Sequence, residues 1–374
     1  MALELDNQEV LCHAMISVGS AKWKMRGMTE DGIKMIEESL RISLINSYQE
    51  QAARAYSNLI YYGVQTKDYE LAKKYLEESI NYCEERDLDS SKNIKLYLKA
   101  RLLLEGGDWK EADVIARHLL ANADQAGTIK IGALLIVSSI EIWKGETGAL
   151  ARLTEAKRLA FGTREHQRII PTINTCLQYE WVTGTRIISD DEMKWSLILA
   201  RGVVNEYINS EFVFWYNKAR HENLSIANLY EPYDLLKQGK VNSAAQFWEA
   251  KGCPFDKALA LLNGTYENKK SALTILQYLG AHAVYAKVKD EMRHLGSKGI
   301  PRGVHESTKR NPAFLTKREL DVLQLLKKGI QNKEIADILY ISAKTVDNHI
   351  SSIFFKLNVN SRLKAVQEAA KLDI

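Results

Sequence analysis

The sequence predicts an all-α protein: a solenoid of tetratricopeptide-like helical hairpins over residues 1–295, a linker over 296–312, and a small four-helix unit over 313–374. Three observations predict it. Residues 1 to about 160 repeat themselves at a period near 40, residues 296–312 concentrate glycine and proline, and the last 60 residues carry short helical periodicities joined by tight turns.

The composition sets the outer limits. A chain of 374 residues fits two or three domains, and 46% hydrophobic with 26% charged residues is the balance of a globular protein with ample core material. MALELDNQEVLCH lacks the charged-then-apolar layout of a secretion signal, and no apolar run reaches membrane-spanning length. A cytoplasmic protein without membrane contact is expected. Cys12, Cys83, Cys176 and Cys253 stand far apart with no CxxC pair, so they are expected as reduced, buried thiols and not as a disulfide framework or metal site. There is no HExxH, no GxSxG and no paired-carboxylate constellation. No catalytic residue, metal or cofactor is therefore assigned, and an enzyme is not expected.

The net charge of +4 is unevenly spread. From Lys298 onward 14 Lys and Arg face 8 Asp and Glu, a balance of +6, which leaves −2 for the rest of the chain. Localised positive charge suits contact with phosphates.

Along the chain, RGMTEDGIKMIEESL, TKDYELAKKYLEES and GGDWKEADVIARHLL align, with Gly32, Ala72 and Ala112 at equivalent positions. Each follows a polar turn, as the small residue that lets the second helix of a hairpin approach the first. KGETGALARLTEAKRLA is a weaker fourth copy. Such hairpins bury their faces only against their neighbours, so they stack into a solenoid. Tyr56, Tyr61, Tyr62, Tyr69, Tyr75, Trp109 and Trp143 are expected mainly as hairpin packing; a ligand groove would need several on one face. From Phe161 to about Asn209 the period fades around Pro171, and the segment reads only as helical. The hairpin look returns in LYEPYDLLKQGKVNSAAQFWEAKG, PFDKALALLNG and KKSALTILQYLGAHAVYAKVKDEMRHLG, with Pro254 opening a helix.

GSKGIPRGVHESTKRNP cannot be regular helix and marks the boundary; its Arg302, Lys309 and Arg310 read as a solvated basic linker, with phosphate contact as the alternative. The terminal unit opens with Thr316 and Glu319 at capping-box spacing, Leu320, Leu323 and Leu326 as apolar face, and Gly329 as stop. Asn332 is the expected cap of a second helix running to Leu339. Ser342 caps a third, in which Val346, Ile350, Ile353 and Leu357 recur at the spacing of one buried face. A fourth runs from Ser361 to Lys371. Opposite the apolar stripe lie Lys344, Asn348 and Ser351, small and hydrogen-bonding, as suits a helix that approaches base edges.

The terminal unit resembles the LuxR-type helix-turn-helix. The match is carried by Thr316, Glu319, Val322, Leu323, Gly329, Asn332, Lys333, Glu334, Ile335, Ala336, Leu339, Ser342, Thr345, Val346, His349, Ile353, Lys356, Leu357, Val359 and Arg362. From about Glu206 onward, FWEAKGCPFDKALALLNG, ALTILQYLGA and the IPRG…NP linker resemble the C-terminal part of large ATP-binding LuxR-type regulators. The chain departs from these in having no GxxxxGK[ST] phosphate loop; Gly239-Lys240-Val241 is not one. Nor do residues 1–295, which read as helices, leave room for a receiver domain.

The resemblance implies that the helix from Ser342 enters the major groove, with Asp347, Asn348 and Ser351 at the base-reading positions. Asn348 can pair bidentately with adenine and Asp347 can accept from cytosine, or Asp347 can instead pair locally. Lys333, Lys344, Thr345 and Lys356 are the phosphate candidates, with ordinary solvation as the bland alternative. His349 reads as half-buried and structural, Phe354 and Phe355 as core or dimer surface, and Arg362 as a brace. The expected partners are double-stranded DNA, a second copy held through the last helix, and an effector on the helical array, either small molecule, peptide or protein. The expected function is a sequence-specific transcriptional regulator. A protein-interaction scaffold with an auxiliary DNA-binding head is the alternative.

Overall fold

The computed structural model describes residues 7–23, 28–121, 127–202, 206–294, 313, 315–357, 359, 361–372 and 374, and among these the only regular structure is helix. The 296–312 linker with Arg302, Lys309 and Arg310 lies outside the described residues. Internal contacts divide the chain into two units, Met1–Glu291 and Met292–Ile374.

The first unit opens with four hairpins: α1 (Gln8–Lys22) with α2 (Thr29–Ile45), α3 (Gln49–Thr66) with α4 (Tyr69–Glu84), α5 (Asp89–Gly106) with α6 (Trp109–Ala121), and α7 (Gly127–Lys144) with α8 (Ala149–Thr163). Their second helices begin at residues 29, 69, 109 and 149, so the repeat seen in sequence is the repeat of the fold, the weaker fourth copy included. The turns show why. Lys67 and Gly107 end α3 and α5 in the left-handed region, and the amides of Asp68 and Asp108 bond back to the Gly63 and Leu103 carbonyls at 2.8 and 2.9 Å. The same aspartates then cap the next helix, accepting from the amides of Leu71 and Glu111, both at 3.2 Å.

Small residues set the spacing within the first three hairpins. A Cβ on Gly32 would lie 2.6 Å from the Gly19 carbonyl oxygen and the Trp23 amide, and one on Gly63 would lie 2.7 Å from the Ala72 amide. Ala72 and Ala112 are fully buried at the equivalent places. Successive odd-numbered helices, α1 through α7, touch in series, whereas the even-numbered ones pack chiefly against the odd helices flanking them in sequence. The segment whose periodicity fades continues this row. It forms α9 (His166–Thr183), α10 (Asp190–Gly202) and α11 (Glu206–Arg220), with α9 against α7 and α11 against α9. Pro171 sits inside α9 and removes the amide that would serve the Gln167 carbonyl.

Five more helices follow: α12 (Glu231–Lys237), α13 (Val241–Ala250), α14 (Pro254–Leu261), α15 (Tyr266–Tyr278) and α16 (His282–His294). They run along the hairpin turns, from that of α3 and α4 to that of α7 and α8. The Tyr230 hydroxyl donates to the Thr66 carbonyl at 3.2 Å, and the Tyr69 hydroxyl lies 3.2 Å from Cys253 Sγ. Added Cβ atoms on Gly107 and Gly145 would meet Leu279 and Ala283 at 2.9 and 3.1 Å, so glycine is what lets α15 and α16 reach these turns. All four cysteines are free and buried. Most of the aromatics named from the sequence are buried packing, but Tyr61 and Trp143 also line an internal cavity.

Two glycine substitutions test the hairpin spacing. Gly32→Ala should destabilise the array by about 1–3 kcal/mol in chemical denaturation despite alanine's better helix propensity, because backbone and not a flexible side chain blocks the new methyl. Gly162→Ala, on a helical site with nothing within 4 Å of its Cβ, should stabilise by about 0.4–1 kcal/mol.

Candidate nucleic-acid interface

In the second unit, α17 (Lys317–Lys327) starts at the expected capping box: the Glu319 amide donates to Thr316 Oγ1 at 3.2 Å, and the Thr316 amide to Glu319 Oε2 at 2.6 Å. It ends before Gly329, whose φ of +76° turns the chain. The cap of α18 (Asn332–Leu339) is Gln331 and not Asn332, since Glu334 reaches back to the Gln331 amide at 3.1 Å. That frees the Asn332 side chain for a different bond, described below. Tyr340, in the left-handed region and 95% exposed, closes α18.

Ser342 caps α19 (Ala343–Lys356) by accepting from the Thr345 amide at 3.1 Å, and its hydroxyl lies 2.8 Å from that of Thr345. Val346, Ile353 and Leu357 are buried with Val322, Leu323, Ile335 and Ala365 in one core, and Ile350 and Phe354 pack against it. The last helix, α20 (Arg362–Lys371), is capped by Ser361.

Burying that stripe turns the opposite face of α19 outward. Lys344, Asp347, Asn348 and Ser351 are all exposed, at the i, i+3, i+4 and i+7 spacing of one helical face, and Thr345 is half-buried beside them. Lys333 is exposed on α18. The Asn348 amide makes no hydrogen bond, and Lys333 and Lys344 no ion pair, among the described residues. Ser351 donates to the Asp347 carbonyl at 2.9 Å and keeps its acceptor lone pairs free of that bond. His349 is half-buried. The Phe355 side chain lies outside what is described.

Two of the site residues carry structural bonds. Asp347 Oδ1 accepts from Asn332 Nδ2 at 2.7 Å, tying the start of α18 to α19. Asn332 in turn lies 3.5 Å from the Arg362 guanidinium, which also donates to the Ile330 carbonyl, so Arg362 braces the turn before α18. Lys356 is committed further. Its ammonium lies 2.5 Å from Glu319 Oε2, with the lysine side chain 19% and the glutamate 6% exposed. A phosphate contact would require breaking that pair. Burial pushes the Glu319 carboxyl up, but Lys356, the Thr316 amide and the Ser352 hydroxyl outweigh it and hold the group below its ordinary range. Spacing along the chain also gave no sign of Arg318, which donates to the Leu339 carbonyl at the end of α18. The bond partners lie 15 to 37 residues apart, and no helical or turn periodicity connects such positions.

Among the described residues no group of three or more His, Cys, Asp or Glu is placed to hold a metal, and no helix is long and apolar enough to cross a membrane.

The family model described as "Bacterial regulatory proteins, luxR family" matches residues 313–369, and the C-terminal unit carries a luxR-family helix-turn-helix domain. The chain is 50% identical over 70 residues to the transcriptional regulatory protein DegU of Brevibacillus brevis, covering 18% of this chain and 30% of the relative. It is 44% identical over 82 residues to LiaR (22% and 34%) and 36% over 119 residues to ComA (30% and 53%), both transcriptional regulatory proteins of Bacillus subtilis strain 168. The chain thus spans between about a third and a half of the length of these relatives. No solved structure matches.

The buried pair gives a prediction with a defined pH dependence. A carboxyl whose folded pKa lies below its unfolded value of 4.5 contributes stability above pH 4.5 and loses it as pH falls through the folded value. Glu319→Gln should therefore flatten the acid limb of the C-terminal unit's unfolding. Near neutral pH it should cost about 2–3 kcal/mol, less than a fully enclosed pair because Lys356 can turn to water.

Proposed function

We propose that this protein is a sequence-specific DNA-binding transcriptional regulator, with residues 1–295 receiving a signal, 296–312 as linker and 313–374 reading DNA. The observation that carries the reading is the face of α19: an exposed polar strip, with an unbonded Asn348 amide at its centre, on the segment the luxR-family model matches. The related DegU, LiaR and ComA are named as transcriptional regulatory proteins, which supports the same reading.

In this reading α19 lies in the major groove with its N-terminal half toward the bases. Asn348 pairs bidentately with adenine. Asp347 accepts from a cytosine amine while Asn332 holds its other side, a bond that fixes the carboxylate's direction. Ser351 adds a single hydrogen bond. Lys344, Thr345 and Lys333 hold phosphates, aided by the free amides at the start of α19. Lys356 acts indirectly, by fixing the far end of the helix through Glu319. Two copies pair through α20, whose Leu363 is 68% exposed, on a two-fold related site.

Asn348→Ala should cost about 1–3 kcal/mol of discrimination at one base position, measured by selection from a randomised pool; an unaltered base profile sinks that assignment. Lys344→Ala should weaken binding to all sequences alike and reduce the salt slope by about one. A loss confined to particular sequences contradicts its phosphate role. Mobility shifts of the full chain and of residues 313–374 test the whole reading: if neither prefers any sequence, the scaffold alternative takes its place.

A further inference from the structure

Helices α3, α5, α7, α9 and α11 line a cavity of about 180 Å³ that α12–α14 close from the other side. Tyr61, Tyr97, Tyr207, Trp215, Tyr233 and Trp248 give it aromatic walls. Two carboxylates line it without an ion-pair partner among the described residues: Glu211 on α11 and Asp256 on α14. The other charged groups at the cavity have ion-pair partners. Glu105 lies 2.8 Å from Lys67 and 3.1 Å from Arg101, and Arg168 lies 3.5 Å from Glu165. The lining is balanced, Lys67, Arg101 and Arg168 against Glu105, Glu211 and Asp256, but Lys67 and Arg101 both pair with Glu105 and Arg168 pairs with Glu165 outside the lining, which leaves Glu211 and Asp256 without an ion pair among the described residues.

Burial lifts the Asp256 carboxyl to about 7, against the pull of Lys67 and with Glu105 and Glu211 adding to it, and burial raises Glu211 as well. Neither carboxylate has a cation at ion-pair distance among the described residues, although Lys67 acts on both from further away. A protonated amine supplies one. Aromatic faces attract the same ion through their quadrupoles, and carboxylates accept its N–H bonds. Pro171 and Gln167 also line the cavity, and the Gln167 carbonyl has lost its helical donor there.

We propose that this cavity is the effector site of the helical array and takes a small organic ammonium ion, its amine held by Glu211 and Asp256 and its apolar body against the aromatic walls. The assignment of the cavity as an effector site rests on reading the protein as a signal-responsive regulator. The segment that closes the cavity is also the one tied to the hairpin turns through Tyr230 and Cys253, so filling the cavity fastens α12–α14 onto the array.

The test is calorimetry on the full chain with three probes of one shape: phenethylamine, phenethyl alcohol and 3-phenylpropionate. The amine should bind and raise the melting temperature, and the alcohol and acid should bind at least about tenfold more weakly. Glu211→Gln and Asp256→Asn should each fold with an unliganded melting temperature at or above that of the parent, because a buried carboxylate lacking a partner is removed. Each should lose at least about tenfold in amine affinity. The proposal is overturned if the alcohol or acid binds as tightly, if both variants keep full amine affinity, or if phenethylamine, putrescine and benzyltrimethylammonium all fail to bind at millimolar concentration. A DNA mobility shift on the same samples separates the two readings. Sequence-selective DNA binding without amine binding removes the cavity assignment alone, and amine binding without any DNA preference removes the regulator reading and leaves the cavity a ligand site.

Discussion

The C-terminal unit depends on one buried carboxylate. Glu319 closes the cap of α17 at its first turn and pairs with Lys356 at the last residue of α19. On the proposed reading α19 is offered to DNA, and such a helix must be fixed in direction from behind, because its front has to stay free of protein. Glu319 holds one end. At the other, Asn332 holds Asp347, and Arg362 braces the turn from which α18 starts. Between these two anchors Val346, Ile350 and Ile353 press one side of the helix onto the core. What remains outward is Lys344, Asp347, Asn348 and Ser351.

The array obeys a different constraint. A helical hairpin cannot bury both of its faces alone, so its stability comes from stacking on its neighbours. Gly32 and Gly63 bring paired helices to a separation at which an added methyl would meet backbone. The left-handed residue, the aspartate cap and the aromatic that begins the next helix recur together at Lys67, Asp68, Tyr69 and at Gly107, Asp108, Trp109. Placing the odd helices side by side gathers their inner faces around one space. The closing helices α12–α14 then decide whether that space is a groove or a cavity. Charged groups there have little bulk water to stabilise them, which is why the pairing of Glu105 and the lack, among the described residues, of an ion pair at Glu211 and Asp256 carry chemical information.

Much of this was legible in the sequence, for a physical reason. Caps, helix periods and hairpin repeats are local, and local signals survive in linear order. The box at Thr316 and Glu319, the cap at Ser342, the buried stripe of α19 and the 40-residue spacing all belong to that class. Asn332 shows the edge of legibility: the residue type suits a cap, but Glu334 selects Gln331, one position earlier, and the asparagine serves another helix. Lys356 shows what lies past the edge. A lysine near the end of this helix reads as a phosphate ligand in the sequence, where its partner, 37 residues back, leaves no mark. The cavity is beyond it altogether, since its lining is drawn from eight helices and from no shared motif.

The central claim is that the outward face of α19 sits in the major groove of a preferred site. All four native cysteines are buried, so Ala343→Cys adds a single exposed thiol at the start of α19, outside the assigned reading and phosphate positions, to which a DNA-cleaving iron chelate can be attached. On DNA selected by the full chain, the account predicts cuts confined to a few base pairs within each half-site and distributed as a major-groove reagent distributes them. Scattered cutting, or cuts with the stagger of a reagent lying in the minor groove, would contradict it.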